Sequence, residues 1–346
     1  MTSARGVARA AVAAAVVLLA AGAVQAAITM DTVPVGNTGN TGEGSGQSYG
    51  GYGPDRICGA VGYQFNIGKY EVTAGQYTAF LNAVAVTDTY GLYNTLMADP
   101  SFGPLGCNIE RAGSSGSYSY SVASDWADRP VNYVSFWDAC RFANWLHNGQ
   151  PTGAQGAGTT ETGAYTLGGY NGNDGQTIQR NPVWKWAVTS EDEWYKAAYY
   201  KGGSTNAGYW DYPTRSNTAP GQDLNDVSGN NANYHGTPYP IQSPYYTTVA
   251  GEFQNSASPY GTFDQGGNVW EWNESITYQD ATYAYRVIRG GSFYSDSSYL
   301  AASFRGGAYP FFVSDDVGFR VVEIPEPATL GLMALGALAA IRRKRT

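Results

Sequence analysis

The chain has 346 residues, with 20 Lys and Arg against 28 Asp and Glu. Six of the basic residues but only one acidic residue lie in two end segments, 1–27 and 324–346. Residues 28–323 therefore hold 14 basic and 27 acidic side chains, a net charge of −13. So acidic a body excludes nucleic acid as a partner, because contact with the phosphate backbone needs basic patches.

The N-terminal segment has the pattern of a secretory signal peptide. Two arginines precede an apolar run of small residues over 10–24, and small residues follow at the expected cleavage point. A buried helix of the following domain is the weaker alternative, because a polar stretch rich in Gly, Asn and Ser begins at 36–51. We expect signal peptidase to remove this segment (1–27), so that the mature chain begins near Ala27.

Three segments of the body predict helices. Each begins with a capping box, in which a hydroxyl residue and a side chain three positions later satisfy free amide groups. The predicted helices follow Thr73, Ser135 and Ser190 and run through Val84, Leu146 and Tyr199. Short apolar or alternating segments bounded by Gly or polar turns predict strands, and these are 63–67, 185–188, 286–289 and 319–322. The 45 glycines and 28 tyrosines indicate long loops packed on aromatic side chains, with sparse regular structure.

Three cysteines lie in the body, which we treat as one domain (28–323) because no Pro-rich or charged linker divides it. Cys140 falls on the apolar stripe of the second predicted helix, which favours a small buried hydrophobe. Cys58 and Cys107 lie in Gly-rich loops, and an exported protein can form disulfides. A bridge between these two is therefore a candidate, although spacing alone leaves the connectivity open.

Six sequence blocks follow one another along the body. They are FNIGKYEVT (65–73), RPVNYVS (129–135), TSEDEW (189–194), GNVWEW (267–272), RGGS (289–292) and GFR (318–320). In this order they resemble the formylglycine-generating enzyme (sulfatase-modifying factor) family over essentially the whole stretch 61–322. The resemblance implies an α+β fold, the family's variant of the C-type-lectin fold, with low regular secondary structure, three short helices and short antiparallel strands.

The resemblance also implies where catalytic groups would lie. The family's oxidases bind copper through two cysteine thiolates that follow the RGGS block, and thiolates are the ligands that copper(I) prefers. In this chain those two positions are Ser295 and Leu300, and no cysteine follows Cys140. Other members hold non-haem iron with several histidines, whereas this chain has only His147 and His235. We therefore expect neither copper nor iron.

One metal pattern of the family is kept. The family's calcium-site pattern is matched by Asp264, Gly267, Val269 and Glu271. An isolated Asp and Glu would more often be solvated or cap a turn, but the surrounding match favours calcium, which takes about six to eight oxygen ligands. A possible second calcium site involves Asn233 and the carbonyl of Tyr234, without a clear acidic partner.

A ligand cleft is implied beside the RGGS block. Its expected lining residues are Ser292, Phe293, Ser295 and Tyr299. Trp270 and Trp272 could be a sugar-stacking platform, but alternating aromatics more often face opposite sides of a strand, so we expect Trp270 in the core. The arginines of the RGGS and GFR blocks are expected to be structural hydrogen-bond donors.

The C-terminal segment (324–346) joins the tripeptide PEP at 325–327 to an uncharged apolar run over 328–341 and a basic cluster at 342–345. The apolar run is shorter than the ~20 residues of a stable spanning helix. This order resembles the PEP-CTERM sorting signal, which implies cleavage by an exosortase-type membrane protease in a Gram-negative bacterium; a plain tail anchor is the alternative. We expect export, a transient membrane tether, and then a place at the cell surface or in the extracellular matrix.

Three functions fit these patterns. The first is a non-catalytic protein whose calcium-stabilised, lectin-like domain binds a peptide, protein or glycan. The second is a sulfatase-modifying oxidoreductase that generates formylglycine through a different set of residues, which retained copper affinity would reveal. The third is a structural protein whose Tyr-rich loops pack against neighbours. We expect the first, with signal peptidase and the exosortase-type protease as processing partners.

Overall fold

The computed structural model describes residues 27–325, which include the predicted domain. The predicted signal peptide, apart from its last residue, and the C-terminal segment after residue 325 lie outside the described residues. Within 27–325, no helix is long and apolar enough to cross a membrane. The described chain is an α+β structure in which long loops connect short elements.

The three predicted helices form, and each begins with its predicted capping box. They are α1 (Ala74–Val84), α2 (Phe136–His147) and α3 (Glu191–Tyr199). At the start of α2, the Asp138 amide donates to Ser135 Oγ at 3.2 Å and the Ser135 amide donates to Asp138 Oδ2 at 2.9 Å. Local chemistry therefore determines where this helix begins, because these amides have no partner within the helix.

Helix α2 lies in the middle of the core, and only its last residue is not buried. Its polar side chains therefore need partners inside the protein. Arg141 Nε donates to Glu161 Oε1 at 2.7 Å, and Asn144 Nδ2 donates to the carbonyl of Thr160 at 2.7 Å. Cys140 is 0% exposed in the same helix, which confirms the prediction of a small buried side chain.

The strands of the described residues are short. They are β1 (Thr32–Val35), β2 (Glu43–Gly44), β3 (Gly51–Tyr52), β4 (Ile57–Cys58), β5 (Phe65–Gly68), β6 (Ile109–Ala112), β7 (Ser119–Val122), β8 (Trp186–Val188), β9 (Trp270–Gln279), β10 (Ala284–Arg289), β11 (Phe304–Ala308), β12 (Val317–Phe319) and β13 (Val321–Glu323). A four-stranded sheet has the order β1-β5-β13-β8, and a five-stranded sheet has the order β12-β9-β10-β11-β3. β12 runs parallel to β9, and the other strand pairs are antiparallel.

The prediction of one strand over 319–322 is wrong, because the structure divides this segment at Arg320. β12 ends at Phe319 in the five-stranded sheet, and β13 begins at Val321 in the four-stranded sheet. The chain crosses between the two sheets at Arg320, whose side chain is fully buried. An apolar pattern of four residues cannot reveal such a crossing, because both halves are buried strands.

Arg320 forms a buried ion pair with Glu271 of β9. Arg320 Nε and Nη2 donate to the two carboxylate oxygens at 2.6 Å each, and both side chains are 0% exposed. Trp194 Nε1 donates to Glu271 Oε2 at 2.7 Å. The guanidinium also donates to the carbonyls of Gly68 and Phe263 at 2.9 and 3.0 Å. Burial alone would lower the pKa of Arg320, but the Glu271 carboxylate outweighs it and raises that pKa.

Arg320→Met should strongly destabilise the protein. The substitution leaves the Glu271 carboxylate buried without its cation, which is expected to lower the free energy of unfolding by about 3–5 kcal/mol. Urea-induced unfolding of the purified protein measures the change. The matched control is Arg111→Met. Arg111 is 24% exposed and pairs with Asp88 at 3.3 Å, and Asp88, although 3% exposed, keeps the Leu92 and Tyr93 amides as donors, so the expected loss is only roughly 0–1 kcal/mol. Equal losses of unfolding free energy in both variants would contradict the conclusion that the fold depends on the buried Glu271–Arg320 pair.

Candidate functional site

Ser295 and Leu300, the two positions predicted to match the copper-binding cysteines, lie close together. Gly291, at φ +73°, separates them: a Cβ on this glycine would lie 2.9 Å from Leu300 Cδ1 and 3.4 Å from Ser295 Cβ. Leu300 ends a short 3-10 helix (Ser297–Leu300) and is 0% exposed. Both side chains therefore border Gly291, although neither residue is a thiol.

Both side chains have structural contacts at this point. The Ser292 amide donates to Ser295 Oγ at 3.0 Å, and the Ser295 amide donates to the Ser292 carbonyl at 2.9 Å, so the hydroxyl helps to close a turn. Leu300 is buried at the end of the following 3-10 helix. A serine hydroxyl is a poor ligand for copper(I) and a leucine side chain is none.

The cleft predicted beside the RGGS block needs a correction. Ser292, Phe293 and Ser295 are 0%, 1% and 9% exposed, so they do not present a lining to solvent. Ser292 Oγ instead donates to Asp316 Oδ2 at 2.8 Å. Tyr299 is half-buried. Sequence spacing identified the block correctly, but it could not tell which of its side chains turn inward.

A groove opens next to Tyr299, across the face of the five-stranded sheet. It has a volume of about 690 Å³, and we call it the aromatic groove. Its aromatic lining residues are Tyr49, Trp270, Tyr285, Phe304, Tyr309 and Phe312. Tyr299 packs against Trp270 and Phe304; its ring centroid lies 6.0 Å from that of Trp270 and 4.6 Å from that of Phe304.

The prediction that Trp270 lies in the core is wrong, because Trp270 is half-buried and lines the groove. Trp272, two residues later, is fully buried and donates to the Val134 carbonyl at 3.0 Å.

A buried charge network lies beneath the groove. Arg289 Nη2 and Arg305 Nε donate to Glu191 Oε1 at 2.7 and 2.8 Å. Burial alone would raise the pKa of Glu191, but Arg289 and Arg305 outweigh it and lower that pKa to about 2. The arginines of the RGGS and GFR blocks are thus structural donors, as predicted: each holds a buried carboxylate and loop carbonyls in place.

The predicted calcium ligands do not share one environment. Both oxygens of Glu271 accept from Arg320, so this carboxylate already has a cationic partner. Asp264 Oδ2 accepts only the Gly251 amide, at 2.7 Å. Burial raises the pKa of Asp264 to about 6. Asp264 is therefore a carboxylate with little compensation for its charge, which a cation would supply.

Glu71, which sequence reasoning missed, is a second such carboxylate. It is 2% exposed, and Asn268 Nδ2 donates to its Oε1 at 3.0 Å while Oε2 has no hydrogen-bond partner. Burial and then the Asp264 charge raise the pKa of Glu71 well above its usual range. Its place in the block at 65–73 was visible in the sequence, but its closeness to Asp264 depends on contacts between distant segments.

Further oxygens without partners surround Asn268. Asn268 Oδ1 accepts from Asn233 Nδ2 at 3.3 Å and from the Thr248 amide at 2.9 Å. Asn233 Oδ1 and Thr248 Oγ1 are buried without a hydrogen-bond partner. The Tyr234 carbonyl of the possible second site accepts from Gln222 Nε2 at 2.7 Å. Buried unpaired oxygens of this kind suit a hard cation.

The fit to calcium is partial. Asp264, Glu71 and Asn233 offer suitable oxygens, whereas Glu271 is committed to Arg320. Across residues 27–325, no group of three or more Asp, Glu, His or Cys side chains is arranged to hold a metal ion. Amide, hydroxyl and backbone oxygens would have to complete the shell. Calcium binding stays a prediction.

The candidate disulfide between Cys58 and Cys107 does not form in the structure, where all three cysteines are free and buried. Cys58 lies in a small cluster with Trp194 and Tyr195, and its Sγ is 3.3 Å from Arg289 Nη2. Cys107 lies in the main core, where the Asn132 side chain accepts from its amide at 3.0 Å. Two cysteines in separate clusters cannot meet the short Cβ separation that a disulfide requires.

Comparison with known families gives two matches. The profile of the sulfatase-modifying factor enzyme 1-like domain matches residues 12–324. The profile of the PEP-CTERM protein-sorting motif matches residues 323–345. The two matches overlap at residues 323 and 324, close to the end of the described residues.

Two curated proteins are similar over short segments. The inactive C-alpha-formylglycine-generating enzyme 2 of Mus musculus is 42% identical over 66 residues, which cover 18% of this chain and 21% of that protein. The uncharacterized protein YfmG of Bacillus subtilis (strain 168) is 30% identical over 84 residues, covering 20% and 17%. The matched segments thus span about a fifth of each relative's length.

A solved structure shares the fold. Treponema denticola variable protein 1 superposes with a TM-score of 0.52 at 20% identity, covering 85% of this chain and 95% of that chain. The crystal structure of CarF has a TM-score of 0.48 at 20% identity, and the match covers 86% of this chain and 99% of the CarF chain. At this identity, the first likeness shows the fold alone.

A thiol titration tests the corrected cysteine assignment. The native protein should react slowly with Ellman's reagent, because the thiols are buried and burial raises the pKa of Cys58 to about 12 and that of Cys107 to about 11. After unfolding in guanidinium chloride without reductant, all three cysteines should react. A Cys140→Ser control should lose one of them. A single reactive thiol in the unfolded protein would instead demonstrate a bridge.

Proposed function

The chain belongs to the family of sulfatase-modifying factor enzyme 1-like domains, and we propose that it is an exported, non-catalytic member whose calcium-stabilised domain binds a peptide or glycan. The C-terminal PEP-CTERM motif implies processing by an exosortase during export. The cell surface or extracellular matrix is the proposed destination, with signal peptidase acting first on the N-terminal segment.

The observation that carries the non-catalytic proposal is the pair Ser295 and Leu300. These residues hold the two positions of the family's copper-binding cysteines, and neither side chain can replace a thiolate. The three cysteines that the chain does have are buried elsewhere and none follows Cys140. One curated relative is itself described as an inactive member of this group.

Calcium is proposed as a structural ion. Asp264 and Glu71 would be its carboxylate ligands, with Asn233 Oδ1 and the carbonyls of Gly267 and Val269 as further oxygens. The raised pKa values of Asp264 and Glu71, together with the unpaired Glu71 Oε2 and Asn233 Oδ1, support this set. When bound, calcium would supply the positive charge that these groups lack and would hold the surrounding loops together.

The copper prediction can be tested with a variant that restores the thiols. The purified protein should bind no stoichiometric copper(I) and should form no formylglycine on a cysteine-containing sulfatase peptide. The double variant Ser295→Cys/Leu300→Cys should gain copper(I) affinity, because the two side chains converge beside Gly291. Competition titration with a copper(I) chelator measures the affinity, and mass spectrometry of the peptide detects an aldehyde.

The matched control for this titration is Ser297→Cys, which adds a single thiol within the same 3-10 helix. It should bind copper(I) more weakly than the double variant. Stoichiometric copper on the unmodified protein, or any aldehyde that it produces, would refute the non-catalytic proposal.

Calcium should raise the melting temperature of the protein, and two substitutions should abolish the rise. Saturation at about 100 times Kd stabilises by about 2.7 kcal/mol, which corresponds to a rise of roughly 5–10 °C for a domain of this size. Asp264→Ala and Glu71→Gln should show little rise, because each removes a charged ligand. Glu110→Gln changes an exposed carboxylate in β6 and should keep the full rise. An equal rise in all variants would exclude this set of ligands.

A further inference from the structure

A row of five aromatic rings borders the aromatic groove. We call it the aromatic row, and its members are Tyr49, Tyr278, Tyr285, Tyr309 and Phe311. Consecutive ring centroids are 4.1, 5.8, 4.3 and 5.4 Å apart. Its end residues Tyr49 and Phe311 are 68% and 48% exposed. The three tyrosines between them are half-buried. A contiguous set of aromatic rings that reaches solvent marks a candidate interaction surface.

Most neighbouring rings of the row are close to parallel. Three of its four neighbouring pairs have interplanar angles of 26°, 35° and 17°. The core mixes both arrangements: Phe142 meets Phe80 at 83° and Phe319 at 78°, but it meets Tyr77 at 20°. Steep edge-to-face contacts fill space in a core. Near-parallel rings at a surface form a flatter platform, which suits a ligand that is itself flat and apolar on one face.

The charges of the groove disfavour an anionic ligand. Among its lining residues within 27–325, the basic side chain is Arg305, which is 1% exposed and donates to both oxygens of Glu191. The acidic side chain is Asp316, which accepts from Ser314 and Ser292 at 2.7 and 2.8 Å and has lone pairs left. The groove therefore offers an acceptor to hydroxyl donors but no free cation.

The backbone beneath the groove is unsuited to an extended peptide. Peptides that bind to sheets usually add a strand to an open edge, where unpaired amides and carbonyls remain. The groove instead crosses the sheet face, where β10 and β11 pair through Arg286 with Ala308, Val287 with Gly307 and Ile288 with Gly306. The open edge that the groove reaches, at Gly51 of β3, is only two residues long and offers little backbone to a peptide strand. Ring contacts and side-chain acceptors therefore dominate the groove.

We propose that the aromatic groove and the aromatic row bind an uncharged oligosaccharide. The apolar C–H face of a pyranose ring is flat and stacks on tyrosine and tryptophan rings, while its hydroxyls donate to Asp316. The net charge of −13 on residues 28–323 repels acidic polysaccharides, and the groove's lining residues within 27–325 include no free cation that would attract them. This inference rests on the proposed binding function and specifies its ligand class and site.

Binding to an array of neutral, acidic and amino polysaccharides tests the inference, followed by calorimetry with the hexasaccharide of each polymer that binds. The mature protein should bind at least one neutral polymer and no polyanion. Tyr309→Ala and Phe312→Ala should each weaken binding roughly tenfold or more, as loss of an aromatic contact at the centre of an interface does. Trp270 lies in the groove, so its fluorescence provides an independent signal.

Phe102→Ala is the matched control, because Phe102 is 75% exposed and packs against Tyr246 outside the groove. It should bind like the unmodified protein, and circular dichroism should confirm that every variant is folded. Glycan binding that survives both groove substitutions would overturn the site but leave the binding function standing. Binding to no neutral polysaccharide, or preferential binding of polyanions or peptides, would overturn the ligand class. Neither result affects the copper test.

Discussion

The ion pair between Glu271 and Arg320 joins the two sheets. Glu271 lies in β9 of the five-stranded sheet, and Arg320 lies where the chain leaves that sheet after β12 and enters the other as β13. Arg320 also donates to the carbonyls of Gly68 in β5 and of Phe263, next to Asp264. One guanidinium therefore connects both sheets to the loop of the candidate calcium site. Since both side chains are fully buried, the pair must be complete, because one charge alone would lack compensation.

This pair also determines which carboxylates remain for a cation. The charge of Glu271 is balanced by its ion pair with Arg320. Asp264 and Glu71 instead have raised pKa values, because burial disfavours their charged forms. A sequence pattern cannot separate these cases, since it shows the carboxylates but not their partners. The proposed ligand set therefore moves from Glu271 to Glu71, and it keeps Asp264.

Features that depend on neighbouring residues could be predicted from the sequence. The helix caps at Ser135 and Ser190 are local hydrogen bonds, and the order of the six blocks was enough to predict the fold. Features that depend on distant contacts were missed or wrong. The strand break at Arg320 follows from its pairing across the sheets, and the inward turn of Ser292 follows from its bond to Asp316. The aromatic row likewise joins segments that are far apart, from Tyr49 onwards.

We propose separate roles for two sites: Asp264 and Glu71 would hold a calcium ion that stabilises the loops, and the aromatic groove would bind the ligand. Elemental analysis of the exported protein, purified without chelators, tests this division most directly. Calcium at about one ion per chain, without stoichiometric copper or iron, is the expected result. Stoichiometric copper or iron would contradict a non-catalytic role, and the absence of calcium would contradict the proposed structural ion.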